Sequence, residues 1–421
     1  MRPITRRTFG KTALAATAAV AAPAIIAKAG ESPIKVGFSM ALTGALAGGG
    51  KSALVGLEMW RDDTNAAGGL LGRKIELVYY DDQTRPNTVP GIYAKLLDID
   101  KVDLVLLPYG TNLAAPVLPM LRERKRFIIG QLELGLNDTV MYDRFFEIAP
   151  WGPKSGSDWC RGYFDIAKRH GFKSVAIVNS DAEFSATAAK AGARIAEEYG
   201  MKVVSTQHYP PNSVDFSGIL RNVNAASPDF VFVASYPVES AALVRGVSEI
   251  GMNDNLQMIG GAMVGLQYAQ SLENLGSALN GWVNYDFFVV ASTLKFPGIE
   301  SFLSRYTKVA AEQKIDTLGH YLPPYCYAGG QLISAAVKAV KSLDEGKMAK
   351  WLHANTVNTI VGPITFGPDG NWSTNRMIWS QFRDVKDKDV DQFRKEGHQI
   401  VLQPESLASG KMITPFKKAH A

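Results

Sequence analysis

Six consecutive residues, Val102–Asp103–Leu104–Val105–Leu106–Leu107, form a nearly continuous apolar run that, with the turn and helix pattern after it, constrains the fold strongly. Such a run suits a strand buried on both faces of a parallel sheet. A short polar turn, Pro108–Tyr109–Gly110–Thr111–Asn112, comes next. From Leu113 to Arg126 apolar residues then recur at helical spacing. The segment ends in Arg122, Arg124, Lys125 and Arg126, a charge pattern that suits a helix C-terminus. In an open α/β sheet, ligands sit at the carboxyl ends of strands, beside the N-termini of the following helices. Thr111 and the amides after it are therefore positioned to hold an anionic group. Taken by itself, the stretch is read more simply, with Thr111 and Asn112 only capping the helix.

The same alternation runs through most of the chain. Ile34–Met40 reads as a strand, Thr43–Gly50 as a glycine-rich turn, Lys51–Asn65 as a helix, Lys74–Tyr80 as a strand and Val89–Asp98 as a helix. Phe127–Gly130 is another strand. A second set comes after it: strands at Ser174–Asn179, Lys202–Gln207, Asp229–Ala234 and Gln257–Gly260, separated by helices at Ser185–Tyr199, Phe216–Ala225 and Ser240–Ile250. Helices at Gly298–Gln313, Tyr325–Leu343 and Met348–Ala354 come later. Ile364–Phe366 and Met377–Phe382 read as strands around a Gly367–Pro368–Asp369–Gly370 turn, and the chain after Asp384 reads as polar and irregular. The expected class is α/β, built from doubly wound parallel sheets. A length of 421 residues points to two or three domains.

Charge narrows the partners. The chain has 45 basic and 40 acidic residues. Residues 1–29 carry Arg2, Arg6, Arg7, Lys11 and Lys28 and no acid, so the rest is neutral. Nucleic acid and anionic membrane surfaces are thereby excluded as expected partners. Thr5–Arg6–Arg7–Thr8–Phe9–Gly10–Lys11, followed by the alanine-rich run Ala13–Ala27 and the small-x-small triplet Ala27–Lys28–Ala29, reads as a bacterial export signal of the twin-arginine type, cleaved near Ala29. The expected location is the periplasm. A disulfide between Cys160 and Cys326 is permitted there, but two distant cysteines favour two buried thiols.

Enzymatic signatures are absent. There is no G-x-S-x-G elbow, P-loop or H-E-x-x-H, and the six histidines are scattered without metal spacing. Gly44 and Gly48–Gly49–Gly50 after the first strand do not form G-x-G-x-x-G, so a dinucleotide site is disfavoured. Glu133, at a strand end without a partner, makes a poor catalytic acid. No catalytic residue, cofactor or metal is expected.

Several segments together resemble a known family. Ile34–Lys35–Val36–Gly37, Leu42–Thr43–Gly44, Asn65–Leu77, Asp81–Asp82–Gln83, Gly110–Thr111, Tyr236–Pro237 and Val361–Phe366 are similar, in order and spacing, to the type I periplasmic binding proteins. Within these they resemble the leucine/isoleucine/valine-binding family that serves ABC importers. The resemblance implies two doubly wound lobes joined by a three-strand hinge. Residues 30–149 and 287–358 would form lobe 1, residues 150–286 and 359–385 lobe 2, and residues 386–421 a tail. It also implies a monomer that delivers a small carboxylated ligand to an inner-membrane permease.

Two lobes that hinge about a cleft form a ligand clamp. Thr111 and Gln131 are expected at strand ends on one side, and Phe184, Tyr236 and Met263 on the other. The resemblance assigns roles: Thr111 and neighbouring amides hold the ligand carboxylate, Tyr109 lies beside them, and Phe184 and Tyr236 supply aromatic walls. This chain departs from the amino-acid binders at three places. Gly49 stands where an aromatic residue is usual, Gln131–Leu132–Glu133 replaces a small-residue-plus-Thr turn, and Ala262, beside Met263, replaces the acid that meets the ligand ammonium. These departures favour an aromatic or phenylpropanoid acid. The alternatives are a hydrophobic or branched-chain amino-acid receptor with Glu133 as counter-ion, a cofactor-bearing periplasmic oxidoreductase, and a sensory ligand domain.

Overall fold

The computed structural model describes residues 32–420, so the expected export signal lies outside the described residues. The first five strands are β1 (Ile34–Met40), β2 (Ile75–Asp81), β3 (Leu104–Leu106), β4 (Ile128–Ile129) and β5 (Phe145–Phe146). They form one sheet in the order β2-β1-β3-β4-β5, and every pairing is parallel. Burial on both faces explains the apolar runs of β1, β3 and β4, where Val36, Phe38, Leu104, Val105 and Ile128 are all buried, whereas the edge strand β2 is only partly covered. The order reverses at β1, so the carboxyl ends of β1 and β3 flank a switch point, where an open sheet has its crevice.

The next five strands are β6 (Ser174–Ser180), β7 (Lys202–Tyr209), β8 (Phe230–Ser235), β9 (Met258–Met263) and β10 (Val283–Asp286). The short strands β11 (Val357–Thr359) and β12 (Gly362–Ile364) pair only with each other, and β13 (Ile378–Phe382) and β14 (Gln399–Gln403) come last. The second sheet has the order β14-β13-β10-β9-β8-β6-β7, parallel from β10 to β7 and antiparallel at β13 and β14. Its switch point lies between β6 and β8.

The chain crosses between the sheets three times. The first and third crossings are tied together: Glu147 N–H donates to Gly370 O (3.0 Å), and Arg376 N–H to Pro150 O (3.0 Å). Beside them Trp151, Trp159, Tyr285, Phe287 and Trp379 pack ring against ring, with centroids 5.1–6.4 Å apart. This aromatic cluster packs the junction between the two sheets.

Four local expectations differ. The turn glycines Gly48–Gly50 instead open the helix Ala47–Ala66, because Gly50 lies against Ala41, where an added Cβ would stand 2.0 Å from the carbonyl oxygen. The helix expected over Leu113–Arg126 is two pieces, Thr111–Ala114 and Leu118–Glu123, since Pro116 between them cannot donate to a continuing ladder. Residues 364–366 and 377–382 do not pair as a hairpin. The polar chain after Asp384 includes β14, which closes the edge of the second sheet. Cys160 and Cys326 are buried and unpaired. Among the described residues no helix is long and apolar enough to cross a membrane.

Candidate functional site

Both switch points open onto one cleft. From the first sheet, the chain leaving β3 turns sharply at Gly110, whose φ of 97° is a conformation L side chains rarely adopt. That turn presents Tyr109 and Thr111. From the second, Phe184 lies in the first turn of the helix Glu183–Glu198, and Tyr236 immediately precedes the helix Pro237–Ile250. Glu239 fixes Tyr236 by accepting its backbone N–H at 2.6 Å.

These residues meet around a small chamber of about 20 Å³, lined by Leu46, Tyr109, Gly110, Thr111, Leu132, Trp151, Phe184, Tyr236, Val264, Tyr285 and Tyr321. Five of the ten expected site residues are there: Tyr109, Gly110, Thr111, Phe184 and Tyr236. The lobes touch directly across it. Phe184 N–H donates to Asn112 Oδ1 (3.2 Å), and the Tyr109 and Tyr268 hydroxyls are 2.8 Å apart.

The lining contains no carboxylate and no cationic side chain. Its polarity comes from neutral donors. Burial pushes the Tyr109, Tyr236, Tyr285 and Tyr321 phenols up, so all stay protonated. The Tyr285 and Tyr321 hydroxyls bond each other at 2.7 Å. The Tyr236 hydroxyl and Trp151 Nε1 are buried without a partner among the described residues. Thr111 Oγ1 accepts from Leu134 N–H (2.9 Å), which leaves its own proton to donate inward. The Thr111 and Asn112 amides belong to the first helical turn and have no intrahelical acceptor. Thr111 makes no side-chain cap, contrary to the simpler reading.

The other five expected residues lie outside the chamber. Gln131 is folded back into the first lobe: its side-chain amide donates to Leu107 O, and its oxygen faces the Cys326 thiol at 3.6 Å. Glu133 is fully buried behind the wall. Its carboxyl accepts Gln131 N–H (2.7 Å) and neighbours Glu147, so it is not placed to meet a ligand ammonium. Glu147 in turn accepts from Leu132 N–H (3.1 Å), Glu133 N–H (2.8 Å) and Ala149 N–H (2.8 Å). These bonds hold Leu132 at φ 74°, a costly conformation for a branched side chain, with Leu132 against the chamber. Gly49 opens no space. A Cβ there would lie 2.6 Å from the Tyr268 hydroxyl and 2.8 Å from the Tyr109 ring, so its role is to let those rings close. Ala262 and Met263 are buried inside β9, which runs three residues beyond the expected strand. Val264 is the residue that reaches the chamber.

Sequence reasoning missed Leu46, Leu132, Trp151, Val264, Tyr285 and Tyr321. Trp151 and Tyr285 sit on the crossing segments, and an aromatic residue at each crossing was the available signal.

Comparison with known proteins bears on the same geometry. Residues 33–386 match the family model described as periplasmic binding protein. The Leu/Ile/Val-binding protein homolog 7 of Brucella suis biovar 1 is 27% identical over 394 residues, covering 89% of this chain and 93% of the relative. Among solved structures, an ABC transporter solute binding protein from R. palustris in complex with 4-hydroxybenzoate superposes with a TM-score of 0.73 at 20% identity, covering 89% of this chain and 98% of that one. The branched-chain amino acid transporter substrate binding protein of Streptococcus pneumoniae, in complex with isoleucine, gives 0.70 at 18% identity, covering 84% and 97%.

Proposed function

Since the chain belongs to the periplasmic binding protein family, we propose that it is the solute-binding protein of an ABC importer and that its ligand is an aromatic or phenylpropanoid-type carboxylic acid. The observation that carries the ligand class is the chamber lining, which is aromatic and uncharged. A carboxylate is served by the Thr111 hydroxyl and the first-turn amides, whose charge-assisted hydrogen bonds need no cation. An ammonium within the chamber finds no counter-ion, and a desolvated ammonium without one costs several kcal/mol. The rings of Phe184, Tyr236 and Trp151 suit offset or edge contacts with an aromatic ligand.

In this reading the protein performs no chemistry and uses no cofactor. It works as a monomer in the periplasm, after loss of residues 1–29, and closure of the lobes around the ligand shapes the surface that the inner-membrane permease engages. The second reading is a hydrophobic or branched-chain amino-acid receptor, favoured by the names of the relatives. A thermal-shift panel of amino acids against aromatic acids separates the two: stabilisation by leucine, isoleucine or valine and by no aromatic acid overturns the first reading.

A further inference from the structure

A second cavity of about 410 Å³ opens beside the chamber, and both lobes line it. Ala45, Gln83, Thr84 and Asn112 face it from the first lobe; Pro211, Asn212 and Glu239, whose carboxyl group is engaged by the Asn212 and Tyr236 N–H groups, face it from the second. The two cavities share two walls, Leu46 and Tyr236. The chamber alone has room for about one water molecule, and a bound ring needs far more. Most of the chamber wall is held firmly. Tyr109 is bonded to Tyr268, Tyr285 to Tyr321, and Trp151 packs against Trp159 and Phe287. The shared wall is held by its backbone, Tyr236 N–H on Glu239 and Leu46 N–H on Thr84 Oγ1, and differs in its side chains. Leu46 precedes the first helix on a loop, and the Tyr236 hydroxyl has no partner among the described residues.

Backbone strain collects at the same place. Gln83 (φ 57°), Thr84 (φ 57°) and Asn212 (φ 66°) line the vestibule, and Leu132 (φ 74°) lines the chamber. Non-glycine residues in this region are strained and cluster at ligand clamps. All three vestibule residues carry hydrogen-bonding side chains.

We propose that the vestibule is the outer half of the binding site, and that Leu46 and Tyr236 are the movable partition between the halves. The ligand is an aromatic acid extended, at the end away from its carboxylate, by a chain or substituent that bears hydrogen-bonding groups. Its carboxylate lies at Thr111, its ring displaces the partition, and its polar end reaches the vestibule. This rests on the aromatic-acid reading above.

Calorimetry with benzoate and 4-hydroxycinnamate tests it, on the wild type and on Ala45→Trp and Pro211→Trp. These variants fill the vestibule from opposite lobes at exposed positions, neither of which lines the chamber. The wild type should bind 4-hydroxycinnamate at least tenfold tighter than benzoate. Each variant should erase that advantage, weakening 4-hydroxycinnamate at least tenfold more than benzoate, with the unliganded melting temperature unchanged. Equal affinity for the two acids, or equal losses for both acids in the variants, overturns the vestibule and leaves the aromatic-acid reading standing. Binding of leucine with neither acid bound overturns both.

Discussion

The hydroxyls of Tyr109 and Tyr268 meet at 2.8 Å, one carried by each lobe. Gly49 makes the meeting possible, since any side chain there would occupy the same space. Both groups are buried. In the proposed clamp both would reach water when the lobes part, so the bond would contribute to the closed form alone. Ala269 N–H, one residue on, also crosses the cleft, donating to Asp316 Oδ2 at 2.9 Å.

Tyr268→Phe should weaken ligand binding by about tenfold or more. It removes a hydrogen bond of about 0.5–1.5 kcal/mol and leaves the Tyr109 hydroxyl buried and unpaired, a further cost of about 1–3 kcal/mol. The loss should sit in the dissociation rate. The double variant Tyr109→Phe/Tyr268→Phe should recover part of it, because no hydroxyl is then orphaned. Stopped-flow dissociation unchanged in Tyr268→Phe would mean that the contact is made equally in the open protein.

Thr111→Ala should cost more than a lost ligand contact. The ligand side loses a charge-assisted bond worth roughly 1.5–3 kcal/mol, about tenfold or more in affinity. The protein side leaves Leu134 N–H without its acceptor, about 1–3 kcal/mol of stability. Thr111→Ser keeps both bonds and should restore both properties. Calorimetry alongside urea unfolding separates the two losses; an affinity unchanged in Thr111→Ala would place the carboxylate elsewhere.

The strands and their order of use were largely legible, because period and burial act locally. β1 runs over the expected Ile34–Met40, and the helix Val89–Asp98 over the expected residues. Thr111, Phe184 and Tyr236 were legible for a related reason: each follows a strand at a switch point, where sheet topology leaves a crevice. The misplacements came from packing between distant segments. Nothing near Gly49 in sequence announces two tyrosines from residues 109 and 268. Glu133 sits at a strand end, where it would be expected to face the cleft, but the left-handed turn at Leu132 sends it inward toward Glu147. Ala262 and Met263 were misjudged by strand length, since the two glycines at 260 and 261 read as an ending and are instead inside β9.

The Glu133–Glu147 pair should make stability fall with rising pH. Burial, and then the Glu147 charge, push the Glu133 carboxyl well above the usual carboxylate range. Burial also raises Glu147, against the hydrogen bonds that it accepts. A carboxyl raised in the folded state contributes stability that is fully present below its unfolded value, near 4.5, and lost as pH rises through the folded value. Glu133→Gln stays neutral and keeps an acceptor for Gln131 N–H. Its urea midpoint should match the wild type near pH 4 and exceed it at pH 8. A constant offset between the two curves across that range would show that the pair does not titrate.

In the proposed site, ligand preference depends on what the chamber lacks. A leucine-like ligand brings an ammonium and a carboxylate into a lining with no charged side chain of either sign. The carboxylate has the Thr111 hydroxyl and two amides. The ammonium has only neutral oxygens, and its desolvation costs several kcal/mol without a counter-ion. One extra methylene of apolar contact contributes only about 0.8 kcal/mol, so shape cannot offset the charge. Glu133 does not rescue the ammonium, since it lies behind Leu132 with its carboxyl on Gln131 N–H. A desamino acid of leucine's shape should therefore bind more tightly than leucine, and an aromatic acid, able to stack against Phe184 and Tyr236, more tightly still. At 100 times its dissociation constant a ligand stabilises by roughly 2.7 kcal/mol, an amount that a melting scan resolves. Aromatic acids should raise the melting temperature at concentrations where leucine, isoleucine and valine do nothing. Installing a carboxylate in the wall by Val264→Asp should weaken the acids and admit leucine. Leucine binding more tightly than every desamino and aromatic acid in the wild type would instead mean that neutral hydroxyls suffice for the ammonium.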